Sequence, residues 1–364
     1  MATTRPSSTP RPTSRPTPPG DLRDRPVRFA SIGTGGMGSV HAHGLAANPD
    51  VELRWAVDLD LPRAQKLTET IGGRATASMA EALASPAVDA VLIALPTSLH
   101  RMATEAAARA GKHVFCEKPI ARTAEDGEAM VRACADAGVT LMIGHVVRFY
   151  SEYMRIKEIL DAGTLGRIAT VRGSRVNPPI QERSAWFADI EKNGGVVLDL
   201  MIHEIDTFCW LFGEVERLFA HGLSYDPVHT KRDYAVASLR FRNGVIAHLE
   251  SSWAHSTFRT SVEIAGQYGL LRQSSEDATT LTLERTVALD DTLRRPARVL
   301  ARPHTGTPHY RELVHFVRCL KTGEPVQVSG EDGVRAIRLG NAVLDSIRTR
   351  RPIQFSEDGS AREP

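Results

Sequence analysis

A chain of 364 residues, 42% hydrophobic and 24% charged, is long enough for two buried cores and has the balance of an ordinary globular protein. Its formal charge of +2 comes from the first 25 residues, which hold five arginines and two aspartates; the remainder carries 40 basic and 41 acidic residues and lacks the basic excess of a nucleic-acid binder. No run reaches the roughly 20 apolar residues of a membrane helix, no secretory signal opens the chain, and Cys116, Cys134, Cys209 and Cys319 are scattered without a CxxC pair, so a cytoplasmic protein with neither disulfides nor a thiolate metal site is expected.

The opening segment, MATTRPSSTPRPTSRPTPPGDLRDR, is rich in Pro, Ser, Thr and Arg and cannot bury enough apolar surface to fold alone. It reads as a disordered tail over residues 1–25, with a weak docking arm as the alternative. Order is expected from Val27, where VRFASIG forms a short apolar strand running into glycines. A helical stretch over 38–47 and the strand VELRWAVD, ending at Asp58, follow. VDAVLIALP is apolar on consecutive positions, as in a central strand covered on both faces, and HVFCE and VTLMIG repeat the pattern. The helical segments ATEAAARAGK and AEDGEAMVRACADAG alternate with them, which predicts right-handed crossovers and a parallel doubly wound sheet over 26–146.

Beyond residue 146 the pattern changes. Residues 151–161 read as a helix, GRIATVRGSRV as a strand and DLMIHEIDTFCWLFG as a long amphipathic helix. From Val215 to Leu283 come VERLFAHGL, YAVASLRF, VIAHLESSW, TSVEIAG and TLTLE, strand-like runs with little helix between them. Two helices near 309–321 and 331–348 are expected to return and pack across this sheet. The class is therefore α/β: an N-terminal Rossmann-type parallel sheet, then an α+β domain over 147–356 with an open, mostly antiparallel sheet that suits substrate binding and oligomerisation. Residues 357–364 read as a second tail.

Gly33-Thr34-Gly35-Gly36-Met37-Gly38 fits GxGxxG between a predicted strand and a predicted helix. The first glycine permits the tight turn, the second lets the backbone approach a pyrophosphate, and the third lets helix and strand pack closely. The helix N-terminus adds free N–H groups for the phosphates. Asp58 lies 20 residues beyond Gly38, where a carboxylate can accept the ribose hydroxyls and repel a 2′-phosphate. Leu59, Asp60 and Leu61 offer a phosphate no cation, so NAD is favoured; Arg63 can swing in, and NADP stays possible. Pro96 and Thr97 follow the buried strand at the carboxyl edge, where Thr97 and His100 are either cofactor neighbours or parts of a plain turn. His41 and His43 form an HxH pair without metal-set spacing; they are expected to be surface or packing histidines, and no metal is expected.

Two features suggest chemistry at that edge. Glu117-Lys118-Pro119 closes HVFC, and proline must stop the strand and leave Lys118 at its C-terminal end. The ammonium can hydrogen-bond a substrate hydroxyl and stabilise alkoxide character, although most lysines are merely solvated. In GGVVLDLMIHEID, Asp199 and His203 stand at i and i+4 and share a helical face, with Leu198, Ile202 and Ile205 on the buried side. The histidine suits a proton acceptor near neutral pH, and the aspartate can orient substrate or raise its neighbour's basicity; a structural helical histidine is the competing reading.

Taken in order, the glycine-rich turn, Pro-Thr-x-x-His, Glu-Lys-Pro, GHVxRF and Gly-Gly-x-x-x-Asp-x-x-x-His resemble the glucose-fructose oxidoreductase, inositol dehydrogenase and MocA family over Val27 to Phe355. The resemblance implies that Lys118, Asp199 and His203 form a metal-free trio for alcohol oxidation or ketone reduction, and that Glu117 and Lys118 border the nicotinamide ribose. It implies a homodimer or homotetramer, a sugar, inositol-like cyclitol or nucleotide-sugar substrate, and contacts to substrate or cofactor from His145, Arg148, Trp186 and Tyr310. Glu204 stands where the family commonly has aspartate and is expected to matter little, its side chain pointing away from the Asp199–His203 face. Two other classes fit the same fold: an NAD-sensing regulator without turnover, against which the retained Lys118 and His203 speak, and a hydrolase or epimerase that borrows and returns a hydride.

Overall fold

The computed structural model describes residues 21–179, 193–224, 233–285, 297–298, 306–356 and 361–362. In the first half, strands and helices alternate: β1 Val27–Ile32, α1 Gly36–Ala46, β2 Val51–Val57, α2 Leu61–Ile71, β3 Arg74–Thr76, α3 Met79–Ala84, β4 Ala90–Ile93, α4 His100–Arg109, β5 His113–Glu117, α5 Ala124–Ala137 and β6 Leu141–Gly144. All six strands are parallel, in the order β3-β2-β1-β4-β5-β6. Every residue of β4 and of β6 is buried, because helices cover both faces of the sheet. The strand order reverses between β1 and β4, so the crevice for a ligand opens at their carboxyl ends. Local chemistry sets the helix starts: the side chains of Asp60, Ser78 and Thr123 cap α2, α3 and α5 by accepting backbone N–H groups.

The second half comprises α6 Ser151–Asp161, β7 Ile168–Val176, a π turn Val197–Met201 leading into α7 Ile202–Phe212, then β8 Val215–Ser224, β9 Asp233–Phe241, β10 Ile246–Ser252, β11 Arg259–Gly266, β12 Gly269–Ser274, β13 Leu281–Arg285 and β14 Ala297–Arg298. The helices α8 Pro308–Thr322 and α9 Gly330–Thr349 and the short strands β15 Ile353–Phe355 and β16 Ala361–Arg362 close the chain. The strands form one sheet, β14-β13-β12-β11-β7-β10-β9-β8-β15-β16, antiparallel throughout except for the β7–β10 pair. Period-two burial marks its two faces: Ala235, Ala237, Leu239 and Phe241 are buried, whereas Tyr234 and Arg240 are exposed. Among the described residues no helix is long and apolar enough to cross a membrane.

Of the two closing helices, both expected to cross the second sheet, α9 does so, whereas α8 packs instead on α1 and on the turn over 146–149. α9 packs on β8 and α7 but also on α5 and β6, and α8 packs on α1, so both complete the helical layers of the first sheet. At the α5–α9 crossing a Cβ on Gly127 would stand 3.0 Å from Val334. The chain returns to its first sheet from its far end, where α8 buttresses α1 and α9 packs on α5 and β6.

Both expected tails are shorter than the composition suggests. Leu22 is buried at 4% exposure, and the Arg25 guanidinium forks onto the buried Asp89 at 2.7 and 2.9 Å, beside Arg28 at 2.8 Å. Burial alone would raise the Asp89 carboxyl, but hydrogen bonds from Arg25 and Arg28 hold it well below the usual range. The fold is therefore entered before residue 25. At the other end β16 pairs with β15. Relative to a truncation that begins at Asp21, one that begins at Pro26 is expected to lose about 1–3 kcal/mol, the cost of stripping a charged partner from a buried carboxylate. Denaturant melts of the two proteins measure the difference; equal midpoints would mean that Arg25 holds nothing.

Candidate active site

The glycine turn joins β1 to α1 at the crevice. Gly33 has φ +89°, and a Cβ there would stand 2.4 Å from the carbonyl oxygen of Ala94, which follows β4. A Cβ on Gly38 would come within 1.9 Å of Gly33 O, so that glycine is required by packing. Gly35 and Gly36, by contrast, meet nothing within 4 Å and face open space. No side chain caps α1, so its first N–H groups are unspent beside that space, with Met37 exposed at the same turn. A pyrophosphate fits this cradle.

Asp58 follows β2 and accepts Thr34 N at 3.0 Å and Thr34 Oγ1 at 2.8 Å, as well as Asp60 N at 3.0 Å. Burial would raise its carboxyl, but the bonds from Thr34 and Asp60 and the Arg63 charge outweigh it and keep the group below its ordinary range. A fixed, ionised acceptor thus stands at the rim. Arg63 lies 3.5 Å from Asp58 and 2.9 Å from Asp60, exposed and within reach of the same place. Thr34, the unspecified position of GxG, was not legible as the residue that orients Asp58.

Pro96 leads into a 3-10 turn, Thr97–Leu99, with Thr97 buried. His100 spends its ring on backbone: Nδ1 is 2.9 Å from Pro119 O and Nε2 is 2.8 Å from Leu95 O. It therefore ties the end of β4 to the turn after β5. That turn is Glu117-Lys118-Pro119, with a cis Lys118–Pro119 bond.

From it Lys118 Nζ donates to Asp199 O at 2.8 Å and to Asp199 Oδ1 at 3.1 Å, both side chains about one-fifth exposed. Asp199 sits in the π turn, not in a regular helix. Gly194 and Gly195, at φ +75° and +62°, turn the chain into it, and Asn193 Oδ1 accepts Gly195 N at 2.6 Å. Asp199 and His203 stand four residues apart across the junction of the π turn with α7. The aspartate takes Lys118, and His203 Nδ1 has no hydrogen-bond partner. Burial above all, then the charges of Lys118 and Arg175, drive His203 well below its ordinary pKa, so the ring is neutral near pH 7 and able to accept a proton.

His145 follows β6 and is buried with neither ring nitrogen hydrogen-bonded, Nδ1 standing 3.9 Å from Asp206 Oδ2; burial lowers its pKa too. Arg148 departs from the expected substrate role. It is 2% exposed, its Nε and Nη2 fork onto Asp206 of α7 at 2.9 and 2.6 Å, and Nη1 donates to Gln327 O at 2.9 Å and Asp332 of α9 at 3.2 Å. With the guanidinium committed on every side, it clamps α7 to α9. Glu204 also differs from expectation: it is buried at 1% and paired with the buried Arg175 at 2.9 Å, so its charge is part of the core. Tyr310 is half-buried on the first turn of α8, its ring over Gly306. Trp186 lies outside the described residues.

Sequence reasoning missed a set that tertiary structure supplies. His41 is fully buried with Nε2 2.5 Å from Glu117 Oε1, while its HxH neighbour His43 is exposed and bonds Ser39 O. His309 and Glu312 of α8 join it, the His309 ring 5.6 Å from that of His41. HYRELVHF carries no spacing signal that would aim either residue at β5.

Residues 27–145 match the model of an oxidoreductase family with an NAD-binding Rossmann fold, and residues 153–272 match the GFO/IDH/MocA C-terminal domain. The chain is 32% identical to a myo-inositol 2-dehydrogenase of Thermotoga maritima over 91% of this chain and 99% of that one, and 27% identical to an inositol 2-dehydrogenase of Rhizobium meliloti with the same coverage. It superposes on the WlbA dehydrogenase of Bordetella pertussis, solved with NADH and UDP-GlcNAcA, with TM-score 0.80 at 26% identity, covering 92% of this chain and 98% of that one. With both domain models matched in order and a relative aligned end to end, the chain belongs to the Gfo/Idh/MocA family of oxidoreductases.

Proposed function

We propose that the protein is an NAD-dependent dehydrogenase or reductase that exchanges a hydride with a CH–OH carbon of a sugar, inositol-like cyclitol or nucleotide sugar, and that Lys118, Asp199 and His203 handle the hydroxyl. The observation that carries this is the meeting of Lys118, anchored on Asp199, with a neutral His203 near the carboxyl edge of the sheet whose glycine turn cradles a dinucleotide. When bound, the nicotinamide supplies the hydride acceptor or donor. Lys118 donates to the substrate oxygen and stabilises its alkoxide character. Asp199 holds the ammonium in place, and His203 takes or returns the hydroxyl proton. His145, with neither nitrogen hydrogen-bonded, supports a further contact to substrate or cofactor. Thr97, Glu117 and His100 shape the wall around the nicotinamide end, and Tyr310 is kept as a candidate contact.

Asp58 supports NAD over NADP. Replacing it with Ala removes the ribose acceptor and the repulsion of a 2′-phosphate together, leaving Arg63 free to approach one. Asp58→Ala is expected to weaken NAD about tenfold or more, while NADP binding holds or improves. Titrations of both dinucleotides measure this, and an unchanged ratio would show that Asp58 does not touch the ribose.

The substrate class draws on relatives named for inositols and on one crystallised with a nucleotide sugar. Four buried, free cysteines suit a reducing cytoplasmic setting. The partly exposed second sheet, with Tyr234 exposed on β9 and Phe258 and Tyr268 exposed at the two ends of β11, suits a homodimer or homotetramer. The deciding assay follows nicotinamide absorbance with purified protein, either dinucleotide and a panel of inositols, aldoses, glycosides and nucleotide sugars. Reduction by one class establishes the reading; dinucleotide binding without any signal transfers the case to a sensor or to a returned hydride.

A further inference from the structure

Beside Lys118 lies a buried cluster that the proposed reaction leaves unused. One oxygen of Glu117 meets His41 Nε2 at 2.5 Å, and the other accepts Lys118 N at 2.9 Å. On the far edge of the same imidazole, Nδ1 has no hydrogen-bond partner and stands 3.9 Å from Glu312 Oε1. Glu312 is fully buried, and no described donor reaches either of its oxygens. An ionised carboxylate in that place would lose several kcal/mol of solvation with no cation bound to it. The three residues could be taken for a metal set, since their ligand atoms lie within 4.8 Å of one another. Two ligands at about 2.1 Å from one divalent ion, however, stand about 3 Å apart, and Nε2 and Oε1 are closer than that. The spacing fits a shared proton.

We propose that Glu312 is a neutral carboxylic acid facing Nδ1 of His41 at 3.9 Å, beyond hydrogen-bond distance, while His41 and Glu117 form a hydrogen-bond chain ending on Lys118 N, with His41 as a positioning residue for Lys118. Burial, reinforced by the charge of Glu117, pushes the Glu312 carboxyl well above its usual range. At Glu117 burial acts the same way, but the His41 bond and nearby positive charge prevail and keep it ionised. Glu117 then carries its negative charge beside the Lys118 ammonium. The other titratable groups facing it are His309 on α8, Cys116 on β5 and His100 on α4; burial lowers both imidazoles and raises the thiol, so all three face it neutral.

This inference rests on the reading that Lys118 works on the substrate oxygen, so its test has an arm that needs no turnover. The infrared difference spectrum between the wild type and Glu312→Gln at neutral pH is expected to show the carbonyl stretch of a protonated acid, lost in the variant; carboxylate bands alone overturn the proposal, whether or not any substrate is oxidised. The kinetic arm compares His41→Phe, which removes the donor, with His41→Gln, whose amide N–H can still reach Glu117. The Phe variant is expected to keep its fold while kcat falls by about 10- to 100-fold and the acidic limb of the pH profile moves upward, because Glu117 loses the bond that keeps it ionised. The Gln variant is expected to recover most of that loss. A folded Phe variant with wild-type kcat and profile, or a Gln variant no better than it, removes His41 from the positioning role.

Discussion

His203→Ala is expected to lower turnover by about 10²- to 10⁴-fold while dinucleotide affinity stays near that of the wild type. The two effects separate because His203, the proposed proton acceptor, sits on α7, whereas the proposed cradle of Gly33, Gly35, Gly38 and Asp58 belongs to the first sheet. The wild-type pH profile carries the same argument with a sign. A base works in its unprotonated form, above its pKa, and burial with the Lys118 and Arg175 charges places His203 well below the ordinary histidine value. Alcohol oxidation should therefore persist below pH 6.5 rather than fade there. Stopped-flow and steady-state measurements on both proteins check it; a fully active alanine variant removes His203 from the chemistry, and an acid limb centred near the ordinary histidine value contradicts the desolvated site.

Arg148→Met is expected to destabilise the protein by about 3–5 kcal/mol, the cost of removing one member of a buried ion network. Asp206 is 1% exposed and accepts two bonds from Arg148, while Asp332 loses one of its arginines. Methionine restores much of the volume but none of the charge, so the loss reports the uncompensated carboxylates rather than a cavity. Because α7 carries His203 and α9 braces the first sheet through α5, kcat will fall as the clamp loosens. The KM for substrate is not expected to rise on its own account. Differential scanning calorimetry or denaturant melts decide the matter: an unchanged midpoint with a large rise in KM would return Arg148 to the substrate site.

Much of this architecture was legible before any coordinate. The apolar run of β4, the period-two pattern of the second sheet and the glycines of the first turn are local signals, each imposed by the backbone geometry or burial of its own segment. Local too are the carboxylate at Asp58, the lysine stopped by proline and the histidine after the paired glycines, whose roles are the ones proposed above. What failed was local reading of contacts that are not local. Arg148 was expected at a ligand from the family resemblance, and nothing in GHVVRF reveals Gln327, 179 residues away, or Asp206, 58 away. Glu204 looked indifferent because its partner Arg175 stands on β7, 29 residues earlier in the chain.

By itself the sequence determined the fold class and the family and put forward Lys118, Asp199 and His203 as the proposed trio, because strand alternation, glycine turns and short motifs are written in consecutive residues. Only the tertiary structure decided that Asp199 pairs with Lys118 rather than His203, that α8 and α9 return to the first sheet, and that Glu312 is buried against His41. Those outcomes follow from how helices close over a sheet and from which charges lose their water together, and both are properties of packed neighbours rather than of chain order.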